Sequence, residues 1–454
     1  SATSFFSESI SRLMIHRSMG RLLHSKGSRR GGLYVKVSAL ARLAADSPDE
    51  RKVPALVAAV RAAAESLEAG TLPLVMETGN FRLTEDTLPA AEEVLDRMRT
   101  LQRGLLDLLE SLGDIIKALS DEDKESPEAY EMRMLIKKLE GMAGVCERFR
   151  SPGDNSDRIF WIERKHTGTG DIFLNYVSTP LHIGNLMREA VYEPFATVVF
   201  TSATLTVNKS FRFWRSRLGL SGGEDMEDPR EEMFESPFNY KERVLLGVPD
   251  DAPPPESPEY RDYLAAFVTQ AILAAEGGAL VLFTSYDLLI KTCAAVKPAL
   301  EKAGITVFRQ GDDQRSRLLR SFTQDIASVL FATDSFWEGV DAPGDTLRLV
   351  IICRLPFRVP TDPVLLARME AIQRRGGNPF TELSLPEAVM KFKQGFGRLM
   401  RRTADRGIVL VSDGRIISKS YGSLFISSLP ETRRSIKSTS SLMEDIENFL
   451  AAKR

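Results

Sequence analysis

From residue 244 onward, short apolar runs alternate with longer amphipathic ones. Residues 244–248, 279–283, 305–309, 329–332, 347–353 and 408–411 read as strands, and 259–275, 286–303, 313–324, 363–375 and 385–402 as helices. Apolar strands separated by helices are the pattern of an α/β protein, a parallel sheet whose strands are joined by crossover helices. Ligands of such sheets gather beyond the carboxyl ends of the strands. The unusual segments of the chain lie there: Thr284-Ser285-Tyr286, residues 334–344, and Ser412-Asp413-Gly414-Arg415.

The last of the helices, LPEAVMKFKQGFGRLMRR at 385–402, carries the densest pattern. Pro386 falls in the first turn, where its missing N–H costs little. At about 100° per residue, Gln394, Arg398 and Arg401 fall on one narrow face, with Lys391 close by. Ala388, Val389, Phe392, Phe396, Leu399 and Met400 fall on the opposite face, which should be buried. Gly395 and Gly397 flank the polar stripe and should leave room for another backbone or a ligand. An amide and two guanidiniums held this way suit a cluster of anionic oxygens such as a triphosphate. Taken alone, the segment reads first as a basic amphipathic surface helix.

A chain of 454 residues has room for two or three domains. Lys+Arg 60 against Asp+Glu 62 leaves a net charge of -2, so any nucleic-acid site must be a local patch. Cys146, Cys293 and Cys353 are far apart with no CxxC pair, which indicates neither a disulfide framework nor a zinc site. A reducing, cytoplasmic compartment is the default. No apolar run reaches the ~20 residues needed to cross a bilayer, so no membrane is expected. His16, His24, His166 and His182 show no ligand spacing.

The first 155 residues read as mostly helical, over 5–23, 40–67, 89–119 and 126–150, with a short strand at 72–76. In 89–119 a connected stripe runs through Val94, Met98, Leu101, Leu105, Leu108, Leu109, Leu112, Ile115 and Ile116. Ser126-Pro127-Glu128 is a strong helix start. Two long helices joined by a short connection should lie antiparallel. Strands follow at 159–163 and 172–177, a helix at 180–191, and an apolar strand at 196–200 that ends in Thr201-Ser202-Ala203-Thr204-Leu205. Residues 221–232 read as a polar linker, and Arg212, Trp214, Arg215 and Arg217 as a surface amphipathic stretch.

Several segments resemble, in order, the motifs of the XPD/DinG group of superfamily 2 DNA helicases. TSATL at 201–205 resembles motif III, LVLFTSY at 280–286 motif IV, ATDSFWEGVDAPG at 332–344 motif V and QGFGRLMR at 394–401 motif VI. SPFNY at 236–240, LPFRVPTDP at 355–363 and SDGRIISKSYGSLFISSLP at 412–430 agree. One such match would be weak, but chance matches in the right order must multiply.

The resemblance implies RecA-like lobes with ATP in the cleft between them. Residues 1–155 would be a helical arch-like domain, 156–205 a remnant of the first lobe, and 206–454 the second lobe. Gln394, Arg398 and Arg401 would reach the phosphates, the two arginines as fingers. Glu338, Gly339 and Asp341 would link the ATP cleft to the DNA backbone. Thr284, Ser285 and Tyr286 would contact phosphates or stack on a base, and Thr201, Ser202 and Thr204 would relay nucleotide state between lobes. ATP with Mg²⁺ is the implied cofactor pair; single-stranded DNA and forks are the implied partners, with 5′ to 3′ movement.

The sequence departs from the family pattern in one respect. It contains no GxxxxGK[ST] loop and no DEAH segment, and its three cysteines do not replace the four that hold the family's iron–sulfur cluster. SATSFFSESI resembles the residues that follow DEAH in DinG-like proteins, so the chain reads as the family's carboxyl-terminal portion. It would then be a helicase whose P-loop lies upstream or on a separate chain, inactive as an ATPase by itself. The alternative is a nucleic-acid-binding or regulatory remnant without ATPase activity. A nucleotide-dependent transferase would explain neither TSATL nor the arginine segment.

Overall fold

The computed structural model describes residues 11–14, 52–75, 79–154, 157–166, 172–220, 228–333, 336–337 and 344–452. It divides into two units, Ser1–Val198 with Pro360–Arg368, and Val199–Val359 with Met369–Arg454.

In the first unit, helices α1 (Val53–Thr71), α2 (Leu88–Lys117) and α3 (Pro127–Arg148) pack in sequence. Ser126 starts α3 as its composition demands: the Ser126 Oγ accepts the Ala129 N–H at 3.2 Å and Pro127 follows. The stripe on α2 is the core. Val94, Met98, Leu101, Leu105, Leu108, Leu112 and Ile115 are buried, while Leu109 and Ile116 pack at its border.

Against these helices lies a four-stranded antiparallel sheet in the order β1-β4-β3-β2, with β1 Ser11–Met14, β2 Asn80–Leu83, β3 Arg158–His166 and β4 Ile172–Pro180. Side chains of a strand alternate between faces. Phe160, Ile162, Leu174 and Tyr176 therefore turn together into the helical core. Phe149 at the end of α3 meets the rings of Phe160 and Tyr176 at 5.1 and 6.2 Å. The Tyr176 hydroxyl, too buried to go unpaired, lies 2.6 Å from Thr71 Oγ1. One apolar core thus runs across the boundary drawn at residue 155.

Three local expectations are corrected in this half of the chain. Residues 11–14, inside the run read as helical over 5–23, form a strand, because β4 offers them a free edge; the rest of that run lies outside the described residues, as do residues 40–51. Leu72–Leu74 form a single 3₁₀ turn rather than a strand. Residues 196–200 join no ladder among the described residues, and Val199 is 80% exposed. An apolar run is not a strand until a neighbour pairs with its backbone.

The second unit is the parallel sheet. Its order is β11-β5-β10-β9-β6-β8-β7, every pairing parallel, with β5 Val244–Pro249, β6 Ala279–Leu282, β7 Thr306–Arg309, β8 Ser328–Ala332, β9 Leu349–Ile352, β10 Gly407–Val411 and β11 Arg433–Lys437. Its helices include α4 (Arg212–Leu218), α5 (Tyr260–Ala274), α6 (Tyr286–Lys302), α7 (Arg315–Gln324), α8 (Pro363–Arg374, which begins in the first unit's segment), α9 (Leu385–Phe396) and α10 (Thr439–Ala451). Alternate residues feed two apolar layers. Leu282, Ile352, Val409 and Val411 pack with Phe392, Phe396, Leu399 and Met400. Val281, Ile351, Ile408 and Leu410 pack with Phe267, Leu289, Ile446 and Phe449 on the other face. Sandwiching between helices explains why these strands are apolar throughout. Sequence reasoning missed β11 and α10: β11 is an edge strand with only its middle residue, Ser435, buried.

Candidate functional site

The helix read over 385–402 stops at Phe396. Gly397 N still bonds four residues back, to Lys393 O at 2.9 Å, but the amides after it bond three back, Arg398 N to Gly395 O at 3.2 Å and Leu399 N to Phe396 O at 3.4 Å. Arg398 and Arg401 therefore lie in a turn and a loop beyond the helix, not on its face. The cause is Asp405, 5% exposed, whose Oδ2 accepts the Arg401 and Arg402 amides at 2.8 and 2.7 Å. A buried carboxylate needs donors, and amides that continued a helix would not supply them. Gln394 and Arg398 are still joined, since Arg398 Nε donates to Gln394 O at 3.0 Å. The exposed Arg401 acts on the Tyr240 hydroxyl, whose pKa burial raises and Arg401 draws back.

Gly395 leaves room not for a ligand but for Trp337. A Cβ there would come within 2.9 Å of two indole carbons and 3.2 Å of Leu282 Cδ1. Trp337 is fully buried, its Nε1 donates to Phe283 O at 3.3 Å, and the Lys391 ammonium sits 5.5 Å from its ring centre. One indole thus ties the end of β6, the segment after β8 and the last turn of α9. Glu338, Gly339 and Asp341 lie outside the described residues.

At the end of β6, Ser285 caps α6, its Oγ accepting from Leu288 N at 3.4 Å. Thr284 is half-buried. Tyr286 is 46% exposed, and its hydroxyl donates to Gln310 O at 3.0 Å. That approach needs Gly311, which has φ +102 and whose place any Cβ would contest with the hydroxyl. The Gln310 Oε1 in turn accepts both the amide and the hydroxyl of Thr333, at 2.7 and 3.0 Å. Gln310 went unnoticed in the sequence; its only signal is a polar residue at a strand's carboxyl end.

Thr201 and Ser202 are exposed, and Ser202 Oγ lies 3.3 Å from both the amide and the hydroxyl of Thr204. The segment is anchored behind. Trp214 Nε1 donates to Thr204 O at 3.3 Å, and Lys393 Nζ on α9 donates to Thr206 O at 2.8 Å. Burial pulls the Lys393 ammonium below the usual lysine range. Arg217 pairs with Glu387 of α9 at 3.2 Å. The 212–217 stretch is therefore a bracket between TSATL and α9 rather than a plain surface helix.

Beyond β10, the fully buried Asp413 accepts from Leu355 N at 2.8 Å and pairs with Arg415 at 2.6 Å, and Arg415 reaches Glu256 at 3.0 Å. Among the described residues no three His, Cys, Asp or Glu side chains gather to hold a metal ion. The three cysteines are buried, and burial raises each thiol, that of Cys146 to about 12. No described helix is long and apolar enough to cross a membrane.

Residues 268–432 match the model of a helicase C-terminal domain. The chain is 37% identical over 303 residues to the 3'-5' exonuclease DinG of Bacillus subtilis, covering 65% of this chain and 32% of that one. It is 38% identical over 275 residues to the ATP-dependent DNA helicase YoaA of Haemophilus influenzae (61% and 41%), and 30% identical over 396 residues to the ATP-dependent DNA helicase DinG of Photobacterium profundum (84% and 56%). A structure of S. tokodaii Xpd4 matches 96% of this chain and 74% of its own, with a TM-score of 0.51 at 13% identity. The chain belongs to the XPD/DinG family. Its seven-stranded parallel sheet is a RecA-like lobe of that family. The chain spans between 32% and 56% of the length of these curated relatives.

Proposed function

We propose that this XPD/DinG chain supplies the second motor lobe of an ATP-dependent DNA helicase, completing an ATPase cleft whose P-loop lies outside these 454 residues. Gln394, Arg398 and Arg401 contact the phosphates, and the two arginines stabilise the charge that develops on the transferred phosphoryl group. Thr284, Ser285 and Tyr286 hold single-stranded DNA by phosphate contacts and stacking. Glu338, Gly339 and Asp341 connect the two sites, and Thr201, Ser202 and Thr204 pass on the nucleotide state. Residues 1–155 are the arch-like part, and residues 156–205 belong to the first lobe. Mg²⁺ would neutralise phosphate charge from ligands on the P-loop side.

The observation that carries this reading is the double bracing of the arginine turn. Trp337 fixes it at Gly395 and Asp405 fixes it at Arg401, so a flexible basic tail becomes a preorganised one. Preorganised charge acts on a transition state without reorganising. The second reading, a DNA-binding or regulatory module, is favoured by one fact, the lack of any GxxxxGK[ST] sequence.

ATP hydrolysis by the chain alone, and by the chain mixed with the P-loop-bearing amino-terminal part of a relative, separates them. The expected result is no turnover alone, DNA-stimulated turnover in the mixture, and a loss of roughly 10³-fold on Arg398→Ala. Turnover by the chain alone that vanishes on Arg398→Ala would sink the divided site. Binding of single-stranded DNA without turnover in the mixture supports the second reading.

A further inference from the structure

At its amino edge the parallel sheet carries a cluster of arginines outside every segment discussed above. Arg243 directly precedes β5 and Arg406 directly precedes β10; Val244 pairs with Gly407, so the two are neighbours on adjacent strands. Arg433 opens β11 on the other side of β5, opposite Leu245. Two of the three share one ring: the guanidinium carbons of Arg406 and Arg433 lie 4.1 and 6.0 Å from the centre of Phe449. Phe449, in the last turn of α10, belongs to the apolar layer on the opposite face of the sheet from Leu399 and Met400. The cluster is therefore separate from the turn that carries Arg398 and Arg401.

The cluster lacks counter-charge. Among the described residues none of the three guanidiniums has an ion pair, and the Arg406 Nε is buried without a hydrogen-bond partner. Other arginines of this unit are matched: Arg215 with Asp228, Arg309 with Asp312, Arg415 with Asp413. Nearby acids are engaged elsewhere, Glu431 with Lys241, Asp445 with Lys437 and Asp405 with backbone amides. The carbonyl end of α10 offers about half a negative charge against three positive ones. Burial, and then Arg243 and Arg433, pull the Arg406 guanidinium below the ordinary arginine range. The face of Phe449 attracts both cations without neutralising them.

We propose that Arg243, Arg406 and Arg433 form a binding site for a phosphate oxyanion, supplied by a small phosphorylated molecule or by one phosphodiester of a single strand. A bound oxyanion would turn three mutual repulsions into charge-assisted hydrogen bonds.

Calorimetric titration of the chain with pyrophosphate, and separately with oligothymidylate, against chloride at equal ionic strength, tests this. Pyrophosphate affinity should fall about tenfold on Arg433→Gln and on Arg406→Gln, and hold on Arg375→Gln, whose guanidinium already pairs with Glu382. Arg433 is exposed, so its substitution tests the site without threatening the fold. Oligothymidylate affinity that falls on Arg433→Gln marks the phosphodiester as the source; affinity that stays marks the small molecule. No heat beyond the chloride control overturns the site, as does equal affinity in Arg433→Gln or loss only in Arg375→Gln. Arginine-dependent binding of polyglutamate with none of pyrophosphate also overturns it, in favour of an acidic protein partner.

Discussion

The indole of Trp337 occupies the space a side chain would need at Gly395, with two ring carbons 2.9 Å from the place of the missing Cβ. The indole is held from its other edge by the Phe283 carbonyl, so it has no way to retreat. Gly395→Ala should therefore destabilise the second unit by about 1–3 kcal/mol, as overpacking does. Urea unfolding followed by tryptophan fluorescence measures it. The midpoint should fall while the slope m stays constant, and an unchanged midpoint would show that the contact gives way at no cost.

Asp405 makes the second prediction. Its carboxylate takes two amides of the loop that carries Arg401, and it is nearly fully buried. Asp405→Ala leaves both donors unpaired and should cost about 1–3 kcal/mol. Asp405→Asn retains one acceptor oxygen and should cost less. If the arginine turn works as proposed, Asp405→Ala also lowers complemented ATP turnover, although Asp405 itself is a positioning residue. Turnover in Asp405→Ala equal to that of the parent would separate the loop's order from its function.

These two contacts also mark the limit of what the sequence discloses. The apolar spacing of Phe392, Phe396, Leu399 and Met400 is helical, and all four are buried, so periodicity runs smoothly past the true helix end. What stops the helix is Asp405, and its burial is a tertiary fact. Likewise Gly395 looks like an open approach until Trp337, far away in sequence, is placed against it. The buried strands β5, β6, β8, β9 and β10 were legible because both faces are apolar; β11 was not, because an exposed edge strand carries no such pattern. Residues 196–200 show the converse, an apolar pattern with no ladder partner among the described residues.

Glu163 on β3 supplies a pH prediction for the first unit. Burial opposes its charge, but donation from Lys165, Trp161 and Asn175 outweighs that and holds the carboxyl below the usual 4.5. A carboxyl depressed in the folded state adds stability that is complete above pH 4.5 and is lost as pH falls through the folded value. Glu163→Gln should flatten that part of the acid limb and leave the slope above about pH 6 unchanged. Thermal unfolding across the acid range reads this directly. An acid limb of unchanged steepness would mean that other carboxyls dominate it.

Tyr286 has two separable parts, a phenolic hydroxyl bonded to Gln310 O and a ring face that is partly open to solvent. Tyr286→Phe removes only the first and should cost about 1 kcal/mol of stability or less. The ring stays, so single-stranded DNA affinity should change little. Tyr286→Ala removes the platform as well. If the ring stacks on a base, affinity should fall by about 1–3 kcal/mol, whatever the base sequence. Fluorescence anisotropy with oligothymidylate and oligoadenylate at two salt concentrations checks both statements. Phosphate contacts make affinity fall with salt in every variant, whereas a stacking loss should be about the same at both concentrations. Equal affinities for Tyr286→Ala and the parent would remove Tyr286 from the DNA path and leave its role as a brace between α6 and the end of β7.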